Sequence, residues 1–220
     1  MTAASGRKQK FIAFLLICVI AASLAFSGCS LPNSNENRTL AADEEGVLTE
    51  TIVEDMAADD TFTEDDLNYY VKQQIMAYQG SEDGGVTLET CDIRDHAVKI
   101  VLKYKSAEDF AGFNKTTCFL GTIKDAEKAG YSFDRPLKDS FGNAADTGEL
   151  SSRSSEWQVL IVSEPMYVRL YDKILYSSDS VTITGRLTAT VGTDKQNTPA
   201  QTGADRFSTD TVEDAYIIYK

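Results

Sequence analysis

The chain of 220 residues has little histidine and a shortage of positive charge, and these deficits exclude several kinds of function. There is one histidine, His96, and no C-x-x-C pair, so the usual ligands of a zinc site are missing. The 21 lysines and arginines face 34 aspartates and glutamates, which gives a net charge of −13. Nucleic-acid binding needs clustered positive charge. We therefore expect no metal, no cofactor and no nucleic-acid partner.

Catalytic motifs are missing as well. The G-x-S-x-G and P-loop patterns do not occur, and neither does the glycine pattern of dinucleotide binding. His96 stands beside Asp95 in a predicted turn, where an exposed histidine without a catalytic partner is expected. Pairs of carboxylates, as used in glycoside hydrolysis, are an open alternative because acids are abundant and such pairs form only in space. We expect a protein that is not an enzyme and has no catalytic residues.

The N-terminus carries a targeting signal. Arg7, Lys8 and Lys10 precede an apolar run without charge, Phe11–Phe26. A basic start, a short apolar core and small residues at its end are typical of a secretory signal peptide. The run has 16 residues, fewer than the ~20 that a transmembrane helix needs. We therefore prefer a cleaved signal to the alternative, an uncleaved membrane anchor.

The tripeptide Ser27-Gly28-Cys29 follows this apolar run and resembles the lipobox of bacterial lipoproteins. The family prefers leucine three residues before the cysteine, where this chain has Phe26. The resemblance implies a signal peptide over residues 1–28, cleavage between Gly28 and Cys29, and a diacylglycerol on Cys29. The protein would then be held to the cell membrane by its lipid and would face the extracytoplasmic side.

The rest of the chain is predicted to be a tether and one folded body. Residues 29–47 are polar and are interpreted as the lipidated cysteine and a flexible acidic tether. The stretch from Thr39 to Val71 has no lysine or arginine, which favours a solvated, extended segment. Residues 48–220 are expected to form a single α+β domain, with N-terminal helices packed on a mostly antiparallel β-sheet and a strand-rich C-terminal third. The alternative is two lobes that divide near Glu149, the second an all-β barrel-like unit.

The clearest helix is predicted over Glu64–Tyr78, ending at Gly80. Its apolar residues recur at helical spacing. Thr63 and Asp66 stand at the two positions of a capping box, with aspartate in place of the usual glutamate. The Thr63 side chain is therefore expected to begin the helix.

A β-hairpin is predicted to follow. Apolar and lysine residues alternate over Val98–Tyr104, the period of a half-buried strand. Its partner is Val86–Ile93, where imperfect alternation indicates a bulge, and Arg94-Asp95-His96 forms the bend. Ser106 is predicted to cap a short helix after the hairpin.

Two further segments have weaker patterns. An earlier helix would place Leu48, Ile52 and Met56 on one face. The region 121–156 has few apolar residues and is expected to be mostly loop, with one helical turn at Lys124–Ala129.

The C-terminal third is predicted to be rich in strands because its segments are β-branched or aromatic. The segment Val181–Val191 alternates so regularly that a single strand is expected, with Gly185 as a bulge. Gly192–Asp210 is a long polar loop. The other predicted strands are Trp157–Val162, Met166–Tyr171, Ile174–Tyr176 and Ala215–Tyr219.

Aromatic residues of this third are candidates for a binding surface. The candidate set is Trp157, Tyr167, Tyr171 and Phe207. On a sheet face such side chains could bind sugars or peptides, but strands select aromatic residues anyway, so a place in the core between sheet and helices is the preferred interpretation.

Two cysteines lie in the predicted body, Cys91 and Cys118. Exported proteins can hold disulfides, so this pair is a candidate bridge. The alternative is two small buried thiols.

These observations predict a lipid-anchored, non-catalytic module of the cell envelope that binds a protein, peptide or glycan. The competing hypothesis is an envelope hydrolase that uses paired carboxylates.

Overall fold

The computed structural model describes residues 37–56, 61–78, 84–192 and 213–220, and strands predominate in these ranges. Strand residues account for 41% and helical residues for 23%. The strands are β1 Arg38–Ala42, β2 Leu48–Asp55, β3 Val86–Arg94, β4 Ala97–Tyr104, β5 Cys118–Thr122, β6 Leu137–Lys138, β7 Gln158–Val162, β8 Met166–Arg169, β9 Ile174–Ser178, β10 Val181–Ile183, β11 Thr188–Val191 and β12 Ala215–Tyr219. The helices in these ranges are α1 Glu64–Tyr78, α2 Ala107–Asn114, α3 Ile123–Lys128 and α4 Thr147–Ser152.

The strands form two sheets. The seven-stranded sheet has the order β10-β11-β8-β1-β2-β4-β3, and the five-stranded sheet has the order β5-β7-β12-β9-β6. Neighbours run antiparallel apart from β1 and β8, which are parallel. β1 pairs with β8 and β5 pairs with β7, so strands from both sides of Glu149 share each sheet. Two lobes divided near Glu149 would each keep their strands together, and the two sheets are not divided in this way.

The expected arrangement, an α+β fold with N-terminal helices packed on one sheet, is wrong. The described part of the chain is mostly β and opens with the strands β1 and β2. β2 occupies the place of the helix predicted through Leu48, Ile52 and Met56. Residues four apart share a helix face, but they also share a strand face because four is an even number. The β-branched residues of β2 favour the strand.

β1 lies inside the predicted tether of residues 29–47. It pairs with β2 on one side and β8 on the other, and Arg38, Leu40 and Ala42 are buried. The folded body therefore includes residues well before position 48. The acidic stretch from Thr39 to Val71 contains most of β1, all of β2 and the start of α1. The prediction that it is solvated is wrong for the buried residues of these elements, and the prediction that it is extended is wrong for α1.

The helix predicted over Glu64–Tyr78 is confirmed as α1. The Thr63 N–H donates to Asp66 Oδ2 at 3.0 Å, and the Asp66 N–H donates to Thr63 Oγ1 at 3.2 Å, which is the predicted capping box. Gly80 lies outside the described residues. The residues of α1 that enter the core are Leu67, Val71 and Ile75.

The predicted hairpin is confirmed as β3 and β4. The register shifts between Leu88 and Thr90, so Glu89 is the extra residue of a bulge. Asp95 and His96 have φ of 51° and 61°, the left-handed pair that a two-residue turn with the twist of the strands requires. His96 is exposed in this turn, as expected.

The segment that follows is more structured than predicted. Ser106 caps α2, and its Oγ accepts the Asp109 N–H at 3.1 Å, as expected. The helical turn predicted at Lys124–Ala129 is found as α3. The rest of 121–156 also holds β6 and α4, and α4 is capped by Asp146, whose side chain accepts two backbone N–H groups.

The segment Val181–Val191 is two strands, not one. β10 and β11 form an antiparallel hairpin in which Val181 pairs with Val191 and Ile183 pairs with Ala189. Gly185 belongs to the turn, where a Cβ would stand 2.6 Å from Thr188 Oγ1. The alternation persists through the turn because both strands bury the same face, and for that reason the pattern could not reveal the reversal.

The apolar residues form two layers, one on each side of the five-stranded sheet. The first lies between the two sheets and also includes residues of α1 and α2. The second lies on the outer face of the five-stranded sheet, under α3 and α4. β7 and β12 are therefore buried on both faces, which explains their continuous apolar sequences.

Candidate functional site

The four residues predicted to form a binding surface do not come together. Trp157 is 7% exposed and belongs to the apolar layer under α3 and α4, with its ring centroid 5.9 Å from that of Tyr176. Trp157 is therefore a core residue, and its assignment to a surface is wrong. Tyr167 is half-buried in β8, and Tyr171 is 38% exposed beyond the end of that strand. Phe207 lies outside the described residues.

Tyr167 stands on the outer face of the seven-stranded sheet, in a row of residues that crosses all seven strands. In these strands buried and less buried residues alternate, and the members of the row are the less buried ones. Their side chains therefore face away from the other sheet. We call it the tyrosine row. From β10 to β3 its members are Thr182, Thr190, Tyr167, Thr39, Thr51, Val101 and Thr90.

A second row lies beside it, two residues away along each strand and three residues away along β3, where the bulge adds Glu89, and we call it the basic row. From β11 to β3 its members are Thr188, Arg169, Ala41, Thr49, Lys103 and Thr87. Threonine is a good strand former, so its presence alone indicates only a solvent-facing strand. The unusual property of the two rows is their charge.

Neither row contains an aspartate or glutamate, although acids outnumber bases by 34 to 21 in the chain. One exposed acid, Glu89 of the bulge, lies along the edge strand β3 between Thr87 and Thr90. Arg169 and Lys103 are exposed, and neither forms an ion pair with a residue that the structure describes. The acidic Asp92 lies one row further, paired across the strands with Lys99, and its side chain is 3.2 Å from Arg94. The two rows thus form a positively charged, hydroxyl-rich strip on an acidic protein.

Tyr171 belongs to a different place, an open cleft of about 270 Å³. Its ring packs edge-on against Tyr219 with centroids 5.3 Å apart, and burial raises the pKa of Tyr219. The turn of residues 43–46 also lines this cleft. Asp43 Oδ1 accepts the Val47 N–H at 2.8 Å and the Glu45 N–H at 3.1 Å, so this carboxylate stabilises its own turn.

A buried ionic network in the first apolar layer was missed by the sequence analysis. The Arg38 guanidinium donates from Nε to Glu50 Oε1 at 2.6 Å and from Nη1 to Glu164. Glu50 Oε2 accepts the Tyr104 hydroxyl at 2.5 Å, and that hydroxyl accepts from Asn114 Nδ2 at 3.2 Å. The sequence contains one indication of this network, because Arg38 and Glu50 fall at the inward-facing positions of strands in which buried and less buried residues alternate.

The charges of this network are buried and paired with one another, so we assign it a structural role. Burial acts to lower the pKa of Arg38, but Glu50 and Glu164 outweigh it and the pKa is raised. Burial, with the Glu50 charge added, raises the pKa of Tyr104 well above its ordinary value. Arg38 Nη2 is buried and has no hydrogen-bond partner among the residues that the structure describes. A buried arginine that binds two carboxylates holds β1, β2 and the β7–β8 connection together.

The candidate disulfide is not formed, because Cys91 and Cys118 are free, buried thiols. Burial, with contributions from Glu64 and Asp92, raises the pKa of Cys91 to about 11. Burial also raises the pKa of Cys118, and Glu108, Glu164 and Glu50 act in the same direction. Both thiols are therefore protonated and unreactive at neutral pH.

Comparisons with known proteins add no assignment to this geometry. No protein-family model matches the chain, and no curated protein or solved structure matches it. Within the described ranges, none of the helices has the length and hydrophobicity that a bilayer crossing requires.

Proposed function

We propose that the protein is an extracytoplasmic lipoprotein, held to the cell membrane by diacylglycerol on Cys29, whose body binds a component of the cell envelope without catalysis. The observation that carries the anchor is Ser27-Gly28-Cys29 directly after the apolar run Phe11–Phe26. Two acyl chains are sufficient for stable anchoring, where one is not. The net charge of −13 would repel anionic phospholipids, so a covalent lipid is a suitable way to keep the body at a membrane.

The outer face of the seven-stranded sheet supports the binding role. No described helix or strand covers it, and it presents the tyrosine row and the basic row to solvent. The other outer face of the sandwich is closed by α3 and α4. Exposed residues on a rigid sheet keep a fixed spacing, which suits recognition of a partner.

The hydrolase hypothesis draws no support from the carboxylates that the fold brings together. Glu50 and Glu164 both bind Arg38, and Glu50 is 1% exposed. A carboxylate in that position cannot reach a glycosidic bond, and its charge is already compensated. A general acid and base would need to face a substrate.

The anchor is tested by mass spectrometry of the protein purified from membranes. We expect an N-terminal Cys29 that carries diacylglycerol. Cys29→Ala should leave an unprocessed precursor or release the body from the membrane. Cys118→Ala is the matched control, since Cys118 lies in the core and its loss should leave processing and lipidation unchanged. A mature N-terminus at any other residue would refute the anchor.

The non-catalytic role is tested on the same preparation. We expect no release of products from cell-wall glycans or peptides. Turnover that is abolished by a single Asp or Glu substitution, in a variant that still folds, would establish the hydrolase instead.

A further inference from the structure

We propose that the tyrosine row and the basic row together bind an anionic polysaccharide, whose chain lies across the strands of the seven-stranded sheet. The inference rests on the proposed function, because it names the partner of the same outer face. Its ligand class follows from three properties of the strip: charge, hydroxyl spacing and the scarcity of large apolar side chains.

Charge selects an anion. Most of the protein's surface repels anions, since acids exceed bases by 34 to 21. The two rows have no acidic members and carry Arg169 and Lys103, both exposed, and the exposed Glu89 of the bulge stands between the rows at the edge strand β3. An anionic partner can therefore approach this strip more easily than the acidic remainder of the surface.

The distance between the two cations favours a polymeric ligand over a small one. Arg169 is on β8 and Lys103 is on β4, with β1 and β2 between them. Three strand spacings of about 4.8 Å separate them by about 14 Å. A small anion contacts one of these groups at a time, whereas an extended chain with repeated charges can contact both.

The side chains between the cations favour a sugar. Thr39, Thr49 and Thr51 present hydroxyls that can each donate and accept a hydrogen bond, as sugar hydroxyls do. Tyr167 lies beside Arg169 on β8 and offers an aromatic ring with a polar tip. The hydroxyls and the ring stand on paired strands, so their spacing does not change on binding.

Two other partners fit less well. A protein interface needs an apolar core, and in these rows the apolar residues are Ala41, Val101 and the ring of Tyr167. Recognition of an anionic bilayer usually needs four to eight clustered lysines and arginines, more than the strip provides.

The experiment measures binding of the full-length lipoprotein in detergent micelles to polygalacturonate, an anionic sugar polymer. Fully methyl-esterified polygalacturonate has the same backbone without the charge and is the matched probe. We expect binding to the anionic polymer that is at least tenfold tighter than to the esterified one and that weakens with added salt.

The variants locate the site. Arg169→Gln and Lys103→Gln should each weaken binding about threefold, and the double variant about tenfold, because each removes one charge contact. Tyr167→Leu should weaken binding to the polymer without changing its salt dependence. Lys124→Gln is the control, since Lys124 is an exposed base on α3, on the opposite side of the sandwich, and its loss should have no effect.

Three results would overturn the inference. They are equal affinity for the two polymers, wild-type affinity in the Arg169 and Lys103 double variant, and tighter binding to phosphatidylglycerol vesicles than to the polymer with dependence on the same two residues. Circular dichroism of each variant verifies that it is folded. The mass of Cys29 tests the anchor separately, so a lipidated protein that does not bind the polymer refutes only the ligand class.

Discussion

The outer faces of the two sheets differ in residue type and in cover. On the five-stranded sheet, Val159, Ile161, Tyr216 and Ile218 point outward and are buried under α3 and α4. On the seven-stranded sheet the outward positions hold mainly threonine, with lysine and arginine, and no described element covers them. A strand that is apolar at both odd and even positions needs a layer on each side, whereas an alternating strand needs only one.

The two outer faces should also contribute differently to stability and to binding. The covered face adds a second apolar layer, so substitutions there should cost unfolding free energy. The open face adds little burial, so its residues are free to serve recognition.

The layer between the sheets contains the ionic network of Arg38, Glu50 and Glu164. We expect substitutions in this network to lower the free energy of unfolding strongly. Arg38→Ala leaves Glu50 buried without its counter-charge. We expect the free energy of unfolding to fall by about 3–5 kcal/mol, measured by urea denaturation. Glu50→Gln removes the charge but keeps a hydrogen-bonding group beside Arg38 and Tyr104, so its loss should be smaller. A loss below about 1 kcal/mol for Arg38→Ala would contradict a structural role.

Two aromatic residues compare the outer faces directly. Trp157→Ala on the covered face removes a buried ring and should cost about 3–5 kcal/mol of unfolding free energy. Tyr167→Ala on the open face should cost less than about 1 kcal/mol, because its ring is only partly buried. Thermal or urea unfolding of the two variants measures the difference. Similar losses at the two positions would refute the distinction between the faces.

An exchange of residue types sharpens the comparison. Ile218→Thr places a hydroxyl in the apolar layer under α3 and α4 and should destabilise the protein by about 1–3 kcal/mol. Thr51→Ile on the open face should change stability by no more than about 0.5 kcal/mol, since isoleucine also favours strands. The measured quantity is the midpoint of urea unfolding at constant slope. If Thr51→Ile destabilises as much as Ile218→Thr, an unrecognised layer covers the open face.

The smallest effect is expected at alkaline pH. Burial raises the pKa of Tyr104 in the folded state above its ordinary value of 10.0. The folded state therefore holds this proton more tightly than the unfolded chain, so the stabilisation is complete below pH 10.0 and is lost as the pH rises above it. Urea unfolding at rising pH should show the decline, and Tyr104→Phe should reduce it. Tyr69→Phe is the control because Tyr69 is 69% exposed, and an equal response in both variants would contradict the assignment.

Local features were predictable because neighbouring residues determine them. The capping box of Thr63 and Asp66, the helix Glu64–Tyr78 and the Ser106 cap follow from side chains within a few residues of each other. The β3–β4 hairpin was predictable for the same reason, since alternation and a short bend define it.

Features that depend on distant contacts were not predictable. The acidity around Glu50 indicated solvent exposure, yet the Arg38 guanidinium and the Tyr104 hydroxyl compensate its burial. Val181–Val191 keeps one alternation through a reversal, because β10 and β11 bury the same face. The tyrosine row was not visible either, since its seven members come from seven strands that the chain visits out of order.

The capped helices, the hairpin with its bulge and the alternation of each strand follow from the amino-acid sequence, because these features depend on interactions over a few residues. The sequence also carries the lipobox-like motif that motivates the proposed anchor. The tertiary structure alone decided that Trp157 is a core residue, that Arg38 and Glu50 meet in the interior, and that Arg169 and Lys103 share a row. Those relations depend on the order in which strands pair, and pairing order reflects contacts between segments more than a hundred residues apart, such as β1 with β8.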